Sequence, residues 1–220
     1  MKPIIMSTED VRAILDGRKT MTRTPIVFTK PYNVRKYNGM TDDGKHILDW
    51  SYTTSFGDHY HGWEEMKAPY NAGDVLWVRE TFAQIRCIET GNVDTFYAAN
   101  ELDYDTVMTT YQCDDNGFET DRHIPWRNGI HMPQDAARLF LRVKDVRVER
   151  VQDISAEDCE AEGYFETAPV EPRPRSWFST IWDALNAKRG YGWDKNPWVW
   201  VYSFERVDKP TGWPGGEVEG

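Results

Sequence analysis

The clearest alternation of apolar and charged positions runs from Arg138 to Val151 (Arg-Leu-Phe-Leu-Arg-Val-Lys-Asp-Val-Arg-Val-Glu-Arg-Val), which predicts one long bent strand or a hairpin. Trp198 to Val207 predicts a closing strand, and the apolar run Val75-Leu76-Trp77-Val78 predicts a short buried one that ends at Arg79-Glu80. Lys2 to Met6 reads as a short entering strand, and Thr20 to Phe28 as an extended segment interrupted by Pro25. Helical spacing appears three times. Ser7-x-x-Asp10 supplies a capping box before Val11, Ile14 and Leu15, so this helix is expected to end near Asp16, with Gly17 just beyond it. Ser155-x-x-Asp158 opens a second, short helix that Gly163 closes, leaving Glu162 as its last residue. Phe178, Ile181, Trp182 and Leu185 form the apolar stripe of a third over Ser176 to Lys188, after a linker from Pro169 to Pro174.

Between these elements the pattern dissolves. From Thr29 to Ala72 no period is sustained, and Arg86 to Asp121 carries nine acidic residues against one basic, although Thr95 to Ala98 suits a strand. No internal repeat is visible. The order of strand, helix, several strands, two helices and a strand favours an α+β fold, a small mixed β-barrel with helices at its ends, over a doubly wound sheet. One domain is expected over residues 1–208, with long insertions at about 29–72 and 86–130 and a flexible tail at 209–220.

Composition narrows the class. The chain has 220 residues, 40% hydrophobic and 28% charged, with 10 Trp, 11 Tyr and 9 Phe, which suits a globular protein and excludes a disordered one. No apolar run approaches the ~20 residues of a membrane span, and Met1 to Met6 is too short for a signal-peptide core, so a cytoplasmic protein with no membrane partner is expected. Cys87, Cys113 and Cys159 are odd in number and widely spaced, so reduced thiols are expected. A net charge of -10 argues against broad attachment to polynucleotide. Met1 to Lys36 nevertheless holds eight Lys or Arg and three Asp or Glu, a local +5 that leaves -15 on the remainder. Such an asymmetry steers an anionic or electron-rich ligand to one end.

Two motifs invite chemistry and fail on context. Gly39-Met-Thr-Asp-Asp-Gly44-Lys45-His46 imitates a phosphate-binding loop, but His46 stands where Ser or Thr should hold magnesium and no buried strand precedes it. His59-x-His61 with Glu64 or Glu65, and Cys113 with His123, lack the paired spacing of zinc sites, so neither a metal nor another cofactor is expected. The remaining cluster is Gly17-Arg18-Lys19-Thr20-Met21-Thr22-Arg23, cations and hydroxyls presented just after a helix end.

At that cluster the sequence resembles the ASCH domain family, barrel relatives of the PUA RNA-binding domains. Asn71-Ala72-Gly73-Asp74-Val75-Leu76-Trp77-Val78-Arg79-Glu80 resembles the family's Pro-Gly-Asp strand, Ile154 to Gly163 its short helix, and Trp198 to Val207 its last strand. The whole pattern, with Ile130-His131-Met132-Pro133 and the Trp-rich end, is similar to long ASCH-domain proteins of phages and prophages. The resemblance implies a PUA-like barrel. Some short bacterial members are amidohydrolases that deacetylate N4-acetylcytidine with a Lys, a Thr three residues on and a Glu on the short helix; these fall on Lys19, Thr22 and Glu162. Other members cleave or bind RNA. Family motifs often place an Arg two residues after that Thr, where this chain has Thr24, leaving Arg23 as the nearest cation.

Amide cleavage needs a nucleophile, a base and a group to manage the departing nitrogen's proton. Thr22 is the candidate nucleophile, Lys19 the base and Glu162 the orienting or proton-delivering group; Arg18, Arg23, Arg79, Glu80 and His131 are candidate substrate contacts. Arg79-Glu80 reads equally as an ion pair ending its strand. Residues 19 and 22 of a regular strand face opposite sides, so joint action requires a bend between them. The expected partners are a small modified nucleoside or, alternatively, single-stranded RNA, for which exposed aromatics would serve as stacking surfaces. A third reading is a phage accessory protein that binds a host protein through the acidic insertion, its ancestral site idle.

Overall fold

A computed structural model of the chain describes residues 1–28, 33–86, 93–100, 124, 126–165 and 173–214. The elements in chain order are β1 (Lys2–Ile5), α1 (Thr8–Leu15), β2 (Met21–Pro25), β3 (Asn33–Met40), β4 (His46–Thr53), β5 (His59–Met66), β6 (Val75–Arg79), β7 (Phe82–Arg86), β8 (Val93–Tyr97), β9 (Phe140–Arg150), α2 (Ala156–Ala161), α3 (Pro174–Asn186) and β10 (Trp198–Val207). The described residues are mixed α+β, mostly strands in open sheets with few helices. They group into two compact units: Met1–Gly17, Val75–Arg142 and Arg206–Gly220 form the first, and Arg18–Asp74 and Val143–Glu205 the second.

In the first unit β1 runs parallel to β6, with Ile4 opposite Val78, and β6 pairs antiparallel with the start of β9, with Leu76 opposite Leu141. The capping box of α1 forms as its sequence dictates. Ser7 Oγ accepts from the Asp10 N–H at 3.1 Å, the Asp10 carboxylate accepts from the Ser7 N–H at 3.2 Å, and the helix buries Val11, Ala13 and Ile14. β7 pairs with β8, Phe82 opposite Tyr97, a longer strand than Thr95 to Ala98 alone suggests. Trp213, within the segment expected to be a tail, is buried against Trp77 and Phe140, with ring centroids 5.9 and 5.2 Å away, and its Nε1–H donates to the Gln134 carbonyl at 2.8 Å. Cys87, Cys113, His123 and most of the acidic insertion lie outside the described residues.

In the second unit β9 neighbours β10, and β10 pairs antiparallel with β2: Val201 lies opposite Arg23, Tyr202 opposite Thr22 and Ser203 opposite Met21. One face of this sheet is covered by α2 and α3 through Met21, Val151, Ile154, Cys159, Phe178, Trp182, Val199 and Val201. α3 starts at Pro174, which the sequence pattern assigns to a linker; proline suits the first helical position because its missing N–H costs nothing there. The segment expected to be a patternless excursion contains a second sheet of order β3-β4-β5. Its strands leave many positions on both faces half-buried or exposed, so no hydrophobic alternation marks them. The apparent phosphate-binding loop is the β3–β4 turn, closed by Thr41 N–H to the Lys45 carbonyl at 2.8 Å.

Candidate functional site

Lys19 and Glu162 meet where the chain enters β2 and leaves α2. Ser155 caps α2 by accepting from the Asp158 N–H, and Gly163, at φ 104°, turns the chain in a conformation that a residue with a side chain rarely adopts. That turn brings the backbone of Glu162 into an isolated antiparallel bridge with Lys19, and the Thr20 N–H donates to the Ala161 carbonyl at 2.8 Å. The side chains repeat the pairing. Lys19 Nζ donates to Glu162 Oε2 at 2.7 Å and to the Glu162 carbonyl at 2.9 Å, with each side chain only 4% exposed.

Arg23 completes the cluster. From the same face of β2 its Nη1 donates to Glu162 Oε1 at 2.9 Å, its Nη2 to Glu149 Oε1 at 2.7 Å and to Asp158 Oδ2 at 2.5 Å, and its Nε to Glu149 Oε1 at 3.0 Å. Arg147 closes the outer rim, donating from Nε to Glu149 Oε2 at 3.1 Å and from Nη2 to Asp158 Oδ2. Three cations thus face three carboxylates, which offsets the cost of taking charge out of water. Burial alone would lower the pKa of the Arg23 guanidinium, but the attraction of Glu162 and Glu149 overrides burial and raises it above its ordinary value. Arg18 flanks the pair, its Nη1 donating to the Gly163 carbonyl at 3.1 Å and its guanidinium 5.5 Å from the centre of the Phe165 ring.

Thr22 is not part of this cluster. Burial alternates along the segment: Lys19, Met21 and Arg23 are buried, Thr20 is exposed and Thr22 half-buried, which places Thr22 with Tyr202 on the opposite face. The β2–β10 register runs without a slip from Met21 to Pro25 and keeps the period of two over those residues. No hydrogen bond among the described residues joins Thr22 to Lys19 or Glu162.

Arg79, Glu80 and His131 belong to the first unit. Arg79 and Glu80 do not end β6 as a mutual ion pair. Glu80, 1% exposed, takes Arg138 Nε and Nη2 on its two oxygens at 2.9 Å each, and Arg138 stacks 3.9 Å from the Tyr97 ring centre. Arg79 Nη2 donates to the Ile130 carbonyl, and Gly129 packs so close that a Cβ there would come within 3.0 Å of the Arg79 backbone. His131 is exposed in a 3-10 turn. His59 and His61 stand two apart on β5, both exposed, and among the described residues no group of three His, Cys, Asp or Glu is placed to hold a metal ion. No described helix is long and apolar enough to cross a membrane.

Sequence reasoning missed Glu149, Asp158 and Arg147. The signal was present as spacing: Asp158 and Glu162 are four apart on one helical face, and Arg147 and Glu149 two apart on one strand face.

No family model matches the sequence, and no curated protein matches it. Among solved structures, the chain aligns with the crystal structure of protein EF3133 from Enterococcus faecalis V583, of the DUF984 family model. The two are 12% identical, with a TM-score of 0.42 over 96% of this chain and 84% of that one, a likeness too slight to assign a fold.

Proposed function

We propose that the chain is an ASCH-type protein of the PUA-like superfamily that hydrolyses a linear amide on a modified pyrimidine nucleoside, N4-acetylcytidine being the test substrate. One observation carries this reading: a Lys and a Glu, 143 positions apart in the chain but joined at 2.7 Å, form a nearly dry ion pair where the family resemblance expects its Lys and Glu. Glu162, whose two oxygens accept from Lys19 and Arg23, is in this reading the base and the Lys19 ammonium the acid. In this reading Glu162 takes a proton from the attacking water as its oxygen bonds to the acyl carbon. The tetrahedral intermediate then collapses, the C–N bond breaks, and Lys19 supplies the proton that lets N4 leave as an amine. Glu162 returns its proton to Lys19 across the 2.7 Å contact, and acetic acid and cytidine depart. With Thr22 on the other face, the attacking oxygen in this reading is that of water rather than its hydroxyl.

The test is release of cytidine from N4-acetylcytidine followed by chromatography. Turnover by the native chain and by Thr22→Ala, with loss in Lys19→Met, is the expected result. No turnover by the native chain ends the hydrolase reading. Loss in Thr22→Ala with retention in Thr22→Ser returns the hydroxyl to the role of nucleophile.

Single-stranded RNA binding is the second reading, favoured by Tyr52 and Tyr60, exposed and directly opposite each other on β4 and β5. It predicts salt-sensitive binding of a single-stranded oligonucleotide that weakens in Tyr60→Ala, read by fluorescence anisotropy; binding that the substitution leaves unchanged removes the tyrosine platform.

A further inference from the structure

The sequence offers Arg23 as a substrate contact, and its hydrogen bonding leaves no donor for that task. A guanidinium has five N–H donors in a fixed fork. Here Nε bonds Glu149, Nη1 bonds Glu162 and the Met21 sulfur at 3.3 Å, and Nη2 bonds Glu149 and Asp158, which accounts for all five. The side chain is 0% exposed, and its guanidinium lies 5.7 Å from the centre of the Phe178 ring. Nothing of Arg23 faces a ligand, yet it touches the residue that holds Lys19.

We propose that Arg23 is the positioning residue of the Lys19–Glu162 pair. It fixes Glu162 Oε1, so the carboxylate has one orientation left, with Oε2 on Lys19 Nζ. Arg23 is itself fixed from outside by Glu149 and Asp158, which are 17% and 19% exposed and which Arg147 ties together at the rim. The charge count explains the rim. Lys19, Arg23 and Glu162 alone leave one uncompensated positive charge among buried groups; Glu149 and Asp158 turn it into one net negative charge, and Arg147 brings the count to zero. A lysine at position 23 keeps the charge and loses the fork, because an ammonium is a point charge that cannot hold three carboxylates in one plane. The substitution therefore separates charge from position.

This inference rests on the hydrolase reading for its effect on rate, and its structural half is tested without that reading. Native protein, Arg23→Lys and Glu149→Gln are compared in two measurements. The first is kcat and KM on N4-acetylcytidine. The second is acetylation of Lys19 by acetic anhydride, quantified by peptide mass spectrometry relative to the exposed Lys188 of the same folded sample. Arg23→Lys is expected to lower kcat about 100-fold, the loss that a misplacement of order 1 Å brings, with KM little changed. Lys19 labelling is expected to rise several-fold over native, with Glu149→Gln intermediate in both measurements. Native kcat and native Lys19 labelling in a folded Arg23→Lys protein overturn the proposal. So does a lower melting temperature with both readouts unmoved, which assigns Arg23 to folding alone. If the native chain turns over no N4-acetylcytidine, the hydrolase reading fails, and the labelling still decides whether Arg23 positions Lys19.

Discussion

Removing either partner of the Lys19–Glu162 pair has unequal consequences. Glu162→Ala leaves Lys19 and Arg23 buried without the carboxylate they share, and breaking a buried pair in this way costs about 3–5 kcal/mol. Lys19→Met leaves Glu162 on Arg23 and is expected to cost less, with both values read from urea unfolding midpoints at constant slope. Cys159 gives a second residue-scale prediction. Burial pushes its thiol up to about 11, with Glu162 and Asp158 nearby adding to the effect and Arg23 opposing it. At pH 8 Cys159 is therefore expected to resist iodoacetamide in the folded protein and to react after unfolding, as peptide mass spectrometry would record; rapid labelling in the native state contradicts its placement. At this scale the motif Gly17 to Arg23 and the cap at Ser155 were legible, since glycine, capping and charge are local signals. The roles within the cluster were not. Which face Thr22 takes depends on pairing with β10, and which groups reach Arg23 depends on α2 folding back, both long-range facts.

The elements divide along the same line. β6, β9, β10 and α1 carry burial on one face or throughout, so composition and period announce them. β3, β4 and β5 pair without burying a continuous stripe, and the long segment that holds them reads as irregular. Within this sheet His46 is a buried polar residue at the start of β4, with Nδ1 3.0 Å from the Tyr37 hydroxyl and its ring edge-on to Trp200 at 4.7 Å. Burial lowers its pKa below the ordinary value. The unfolded chain, where a histidine titrates near ~6.5, then binds more protons than the folded one. This contribution to stability is complete above about pH 6.5 and is lost as pH falls from there through the depressed folded value. Thermal melts between pH 7.5 and 5.5 are expected to show a fall in Tm that is smaller in His46→Gln; equal falls in the two proteins contradict it.

For the molecule as a whole, the C-terminal segment is structural in the first unit. Ending the chain after Asp208 removes Trp213 and uncovers Trp77 and Phe140, and the loss is expected to be comparable to a large-to-small core substitution, about 3–5 kcal/mol. Calorimetry of the truncated chain checks this, and an unchanged Tm contradicts it. In the second unit the buried charge cluster ties β2, β9 and α2 together, so under the proposed function chemistry and folding would draw on the same residues. In the proposed function the Lys19–Glu162 pair handles the protons of amide hydrolysis. The most direct measurement is kcat on N4-acetylcytidine for the native chain, Lys19→Met and Glu162→Gln, each shown to be folded by its melting curve. Turnover by the native chain that falls about 10²–10⁴-fold in both variants is the predicted result; equal turnover in all three, or none in the native chain, contradicts it.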